Sequence, residues 1–114
     1  MVRSTVRMVI AYKNQKDALE ILGSMTEQTQ FEPGCISCRL YQDVRDKLAI
    51  MIEEIWTSEK DLQRHLRSDN YRQILLVVEM ASEPPEIRFD TIAHSSGVET
   101  IETARKQTEP ASGI

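Results

Sequence analysis

The nine residues from Leu48 to Trp56 (Leu-Ala-Ile-Met-Ile-Glu-Glu-Ile-Trp) form the most apolar strand-like run in the chain. Side chains alternate along a strand. Leu48, Ile50, Ile52, Glu54 and Trp56 therefore share one face, and Ala49, Met51, Glu53 and Ile55 share the other. Such a strand needs partner strands and a covering layer, so the rest of the chain must supply both. One carboxylate, Glu54, interrupts the otherwise apolar first face. An unpaired buried carboxylate is costly, so Glu54 needs a partner, and His65 and Arg72 are the candidates.

The neighbouring segments supply the partners. Thr5–Tyr12 is rich in β-branched residues and reads as a first strand, with Val6, Met8 and Ile10 on one face. Asn14 is a plausible N-cap for a helix from Gln15 to Thr29, whose apolar stripe is Ala18, Leu19, Leu22 and Met25. Glu32-Pro33-Gly34 breaks the chain. Cys35–Gln42 is the second strand, and the polar residues Asp43–Asp46 fit a hairpin to Leu48–Trp56. Ser58, with Asp61 three residues on, is a capping box that opens a short helix to Leu66. Ser68-Asp69-Asn70 caps another helix, to about Ala81, striped by Tyr71, Ile74, Leu75 and Val78. Glu83-Pro84-Pro85 stops it, and Glu86–Ala93 is a fourth strand. The order β-α-β-β-α-α-β is an α+β, ferredoxin-like split βαβ arrangement, an antiparallel sheet with helices on one face. The open face, with Val9, Ala11, Met51 and Ile55 among polar residues, invites a second copy related by a two-fold axis. Residues 1–95 are expected to form the domain. Residues 96–114 are expected to extend it as one short exposed helix (Val98, Ile101, Arg105), with disorder after Lys106.

Composition excludes several classes. The 114 residues carry a net charge of −4, which argues against nucleic acid as a main partner. No run approaches the length of a membrane span. The first residues lack a long apolar run and a small-residue cleavage site, so no secretory signal is expected. Cys35 and Cys38 have redox spacing but fall on a strand, where residues three apart point to opposite faces. Two reduced cysteines in a cytoplasmic protein are the expectation. Neither a metal-ligand spacing nor a glycine-rich phosphate or dinucleotide pattern is present.

Five residues could carry chemistry. His65 can give or take a proton near neutral pH, against the plainer reading of a helix-end histidine bonded to a carbonyl. Glu54 could fix its tautomer and raise its basicity, or simply brace the strand to the helix. Trp56 and Tyr71 could line a pocket for a planar substrate or belong to the core, and Arg72 could contact substrate. Arg39, Tyr12 and Tyr41 could reach a pocket or a dimer face, and His94 reads as a surface residue.

The ordered set Glu32-Pro-Gly-Cys35, Glu54-Ile-Trp56-Thr-Ser58 and Leu62-x-x-His65-x-x-Ser68-x-x-Tyr71 resembles the antibiotic biosynthesis monooxygenase family over about residues 3–94. The resemblance implies a dimeric α+β barrel with a small-molecule pocket between sheet and helices. Its members include cofactor-free quinol and anthrone oxygenases, haem-degrading oxygenases and isomerases of small signalling sugars, so it speaks to fold more than to reaction. The haem branch uses an Asn, a Trp and a His at positions that align here with Val6, His65 and Leu75. Haem degradation is therefore not expected. The expectation is a homodimeric monooxygenase without a cofactor, acting on a small aromatic quinol or anthrone with O₂. In it His65 is the base, Glu54 its orienter, and Trp56, Tyr71 and Arg72 contact substrate. The rival readings are an isomerase in the same pocket and a non-catalytic binding or assembly module.

Overall fold

The computed structural model describes residues 1–107. The elements are β1 (Val2–Val9), α1 (Tyr12–Thr29), β2 (Cys35–Gln42), β3 (Ala49–Trp56), α2 (Glu59–Leu66), α3 (Tyr71–Glu79), β4 (Glu86–Thr91) and α4 (Val98–Gln107). All sheet pairings are antiparallel, in the order β2-β3-β1-β4. This is the ferredoxin-like α+β fold. The apolar run is a central strand, with β2 and β1 on its two sides.

Register places the core. Val2, Val6 and Met8 of β1 and Ile50, Ile52 and Trp56 of β3 turn toward the helices and are buried. Ala18, Leu22 and Met25 of α1 and Tyr71, Ile74 and Val77 of α3 close over them. Burying these side chains contributes about 1.5–3 kcal/mol each for the larger aliphatic ones. The opposite face is uncovered. It carries half-buried Thr5, Val9, Met51 and Ile55 among charged groups, including the Arg3–Asp90 ion pair at 3.5 Å and the Arg7–Glu86 pair at 3.1 Å.

Several boundaries differ from the sequence reading. β1 starts at Val2 and stops at Val9, because Val2 pairs with Trp56 and the chain turns at Ile10 and Ala11. Ala11 is thus the N-cap of α1, off the open face, and Asn14 lies inside the helix. The buried stripe of α3 is Tyr71, Ile74 and Val77, while Leu75 is 49% exposed. Asn70 occupies the N-cap position without a side-chain capping bond, and Ser68 Oγ instead accepts from the Tyr71 N–H at 3.1 Å. α4 presents Val98 and Ile101 to solvent. The disorder expected after Lys106 falls outside the described residues from position 108 on, and Gln107 itself still belongs to α4.

The turn into β2 is tied to the start of α2. Ser58 Oγ accepts from the Asp61 N–H at 3.2 Å and donates to Asp61 Oδ2 at 2.9 Å. Asp61 also pairs with Arg64 at 2.6 Å, and Arg64 donates to the Pro33 carbonyl at 2.5 Å. Gly34 sits at φ 83°, a left-handed conformation in which a Cβ would collide with the Asp61 carboxylate. Gly34→Ala is expected to lower unfolding free energy by about 1–3 kcal/mol, read by urea denaturation. A loss below a few tenths would show that the turn relaxes freely.

Candidate functional site

The interruption in β3 is the centre of a buried polar cluster. Glu54 is 1% exposed, and Trp56, two residues on and on the same face, donates from Nε1 to Glu54 Oε1 at 3.1 Å. Across the strand pair lies Cys38, whose Sγ is 3.9 Å from Glu54 Oε2. α2 supplies the main partner. It is eight residues long and buries Leu62 and His65, one turn apart. His65 Nε2 lies 3.0 Å from Glu54 Oε2.

The second ring nitrogen is also occupied by a carboxylate. Glu32, in the turn after α1, places Oε1 and Oε2 at 2.9 and 3.0 Å from His65 Nδ1. Asn70 Nδ2, at the start of α3, donates to Glu32 Oε2 at 3.1 Å and to Thr29 Oγ1 at 2.7 Å. The ring itself is 0% exposed. It packs against Trp56 with centroids 4.6 Å apart and meets Tyr71 edge-on at 5.3 Å. Glu32 is the carboxylate of the cluster that reaches the surface, its side chain being 22% exposed against 2% for Glu54.

Two carboxylates facing the two nitrogens of one imidazole call for two N–H donors, and only the imidazolium has two. Burial, the largest single influence on His65, works against the charge. The hydrogen bonds and charges of Glu54 and Glu32 together outweigh it, so the pKa lies above the ordinary 6.5. The position in the last turn of α2 favours a cation as well. Other groups are held neutral. Burial, then Glu54, then Glu32 push Cys35 up to about 11, and burial and then Glu54 push Tyr71 up to about 12. Burial, with Glu54 next, also raises the Cys38 thiol. These shifts share a sign. The folded form keeps its protons longer than the unfolded form, so their stability is fully present below the unfolded pKa and is lost as pH rises. Stability is expected to fall from about pH 6.5 upward, through His65, and further above about pH 9 as unfolded-state thiols ionise. Urea midpoints across pH 6 to 10 check this; a midpoint rising over that range would contradict it.

The cysteines do not behave as simple strand alternation predicts. A bulge between Cys35 and Ser37 shifts the register, so Cys35 opposes Trp56 and Cys38 opposes Glu54. Trp56 and Glu54 share a face, and both cysteines therefore lie on the helix side, as free thiols. Arg72, a candidate partner for Glu54, is on the exposed side of α3. Its nearest acid is Asp69 at 3.8 Å, and its side chain is 77% exposed. It takes no part in the cluster, because the helical turn that buries Tyr71 points the next residue outward. Of the residues singled out in the sequence, Glu54, Trp56, His65 and Tyr71 come together. Arg39, Tyr41 and Tyr12 lie at the surface, as does His94. Glu32, Asn70, Thr29 and Cys38 are the additions. Among the described residues no group of three or more His, Cys, Asp and Glu side chains is arranged to hold a metal ion. No helix among them is long and apolar enough to cross a membrane.

Comparison with known proteins agrees with the fold. The model of the antibiotic biosynthesis monooxygenase family matches residues 1–75. No curated protein matches the chain. A conserved protein from Methanosarcina mazei Go1 is 26% identical, with TM-score 0.73 over 78% of this chain and 89% of that one. A crystal structure bearing the name antibiotic biosynthesis monooxygenase is 18% identical, with TM-score 0.75 over 82% of this chain and 100% of that one. A protein from Mycobacterium tuberculosis is 21% identical, with TM-score 0.76 over 84% and 98%.

Proposed function

The chain belongs to the antibiotic biosynthesis monooxygenase family, and from that premise we propose that it oxidises a small electron-rich aromatic substrate, of the quinol or anthrone type, with O₂. The observation that carries the proposal is the linear Glu32–His65–Glu54 chain, with every contact near 3 Å. Its inner end is buried and its outer end reaches the surface at Glu32. A proton accepted at Glu32 can be matched by release of the imidazolium Nε2 proton to Glu54, which leaves the ring neutral, so the chain takes up one proton without exposing the imidazole. Proton uptake is what such a substrate requires. An anthrone-type methylene loses a proton to Glu32, and the resulting anion gives an electron to O₂. The substrate radical and superoxide combine to a peroxide anion, which takes the proton back from Glu32 and loses water to leave a carbonyl. One oxygen atom ends in product and one in water, and the substrate supplies all the electrons. His65 is the proton-transfer residue of this scheme, Glu54 orients it, and Trp56 and Tyr71 flank it. The open face of the sheet is the proposed contact for a second copy, which would close a dimeric barrel.

A second reading has its own observation. With the ring fully buried and both nitrogens bonded, the cluster could serve only as a brace. Buried ion clusters gain little stability over apolar side chains of equal volume, however, so bracing alone is a weak reason to keep one.

The test is oxygen uptake with a panel of reduced quinols and anthrones, beside an autoxidation control, using ¹⁸O₂ to follow the atoms. Uptake above control with one labelled atom in the product is expected. No uptake across the panel would overturn the proposal, and turnover without O₂ would replace it with the isomerase reading.

A further inference from the structure

α4 stands apart from the sheet and the other helices. Every residue from Ala93 to Lys106 is exposed. The chain has a radius of gyration of 18.0 Å and a longest extent of 59 Å, where a compact domain of this length has a radius of gyration of roughly 13 Å. The arm is nevertheless a built helix. At its start Glu99 Oε1 accepts from the Gly97 N–H at 2.7 Å, the Thr100 N–H donates to the Gly97 carbonyl at 3.0 Å, and Ser96 Oγ bonds to Thr100 Oγ1. A helix of ten residues is marginal in water on its own. One that is exposed on every side lacks the packing that normally holds such a helix.

Two surface features say what kind of partner supplies that packing. The first is an apolar stripe. Val98 and Ile101 are 66% and 59% exposed, and with Ala104 and the stem of Arg105 they recur at three- and four-residue intervals, in one arc of the helix. The second is a division of charge along the axis. Glu99 and Glu102 fall in the first half, and Arg105 and Lys106 in the last turn. Glu99, Glu102 and Lys106 share the flank beside the stripe. A helix charged in this way repels a parallel copy of itself and is complementary to an antiparallel one. The same division suits the helix dipole, but the dipole gives no reason for the stripe.

We propose that α4 pairs antiparallel with α4 of a second copy, about a two-fold axis between Glu102 and Thr103. Ile101 then faces Ala104 of the partner subunit, and Glu99 faces Lys106 of the partner subunit, each contact occurring twice. Ten residues make about 15 Å of helix, a small contact, so this association is of the weak class. It is separate from the His65 cluster and from the open sheet face, and does not depend on the oxygenase reading.

The test is sedimentation equilibrium of the full chain at physiological salt, up to millimolar concentration, with two charge variants. Glu99→Lys with Glu102→Lys makes the helix basic throughout, and Arg105→Glu with Lys106→Glu makes it acidic throughout. Each variant alone is expected to weaken the α4-dependent step about tenfold, and an equal mixture of the two is expected to restore it. Any tighter association through the sheet face persists in every variant and is read separately. Ile101→Ala keeps the helix propensity and removes the centre of the stripe, and should weaken the same step several-fold. Wild-type association in either charge variant or in Ile101→Ala would overturn the proposal. So would a mixture that associates no better than its parts, or a wild-type chain that shows no such step.

Discussion

Replacing His65 with leucine is expected to lower the unfolding free energy by about 3–5 kcal/mol, the scale for removing one partner of a buried ion cluster. The loss comes less from the contacts removed than from what stays behind. Glu54 is 1% exposed, and in the variant its Oε2 keeps only the weak approach of the Cys38 thiol at 3.9 Å. Against a total stability of about 5–15 kcal/mol, this removes a third or more. The double variant His65→Leu with Glu54→Met is expected to recover part of the loss, because no buried charge remains and the volume is kept, while the buried Trp56 Nε1–H loses its acceptor. Urea denaturation of the wild type, the single variant and the double variant reads both effects. A single variant within about 1 kcal/mol of the wild type would contradict the picture of an imidazolium tied between two carboxylates. The double variant also separates brace from chemistry, since a stable protein without turnover shows that the ionic cluster serves more than folding.

Replacing Glu32 with glutamine is expected to lower turnover by about 10²-fold or more, the usual scale for a group that moves a proton in the rate-determining step. Glutamine keeps the size of the side chain and an oxygen to accept from Asn70, and the position is partly solvated, so the fold should survive. What it removes is the carboxylate that accepts the substrate's proton beside the buried ring. The loss should fall on kcat more than on KM, because Glu32 acts on the proton and not on the body of the substrate. Wild-type kcat in a folded Glu32→Gln protein would take Glu32 out of the reaction.

Much of this arrangement is readable from local pattern, and the parts that are not have physical reasons. Alternation along Leu48–Trp56 exposes Glu54 as the intruder on an apolar face, and the helix start at Ser58 places His65 within its reach. The pair follows from a strand period and a short helix. Glu32 does not follow. It stands 33 residues before His65 in a turn, where a glutamate before Pro-Gly reads only as a chain break. Its role appears once the turn after α1 is folded against α2. The cysteines fail for a different reason, since a bulge changes the strand period at Ile36 and no residue type announces it. On α3 the apolar residues outnumber the buried ones. Leu75 and Leu76 are as hydrophobic as Ile74 and Val77, yet only the latter two meet the sheet. Pattern alone could not choose between these overlapping stripes.

The central claim is that His65 is an imidazolium bridging two carboxylates, and ¹⁵N NMR of its ring tests this most directly. Selectively labelled protein, followed from pH 5.5 upward, should show both His65 nitrogens protonated at neutral pH, with a midpoint above the ordinary 6.5. A single neutral tautomer at pH 7, with a midpoint at or below 6.5, would contradict the account and leave the cluster as an ordinary hydrogen-bonded histidine.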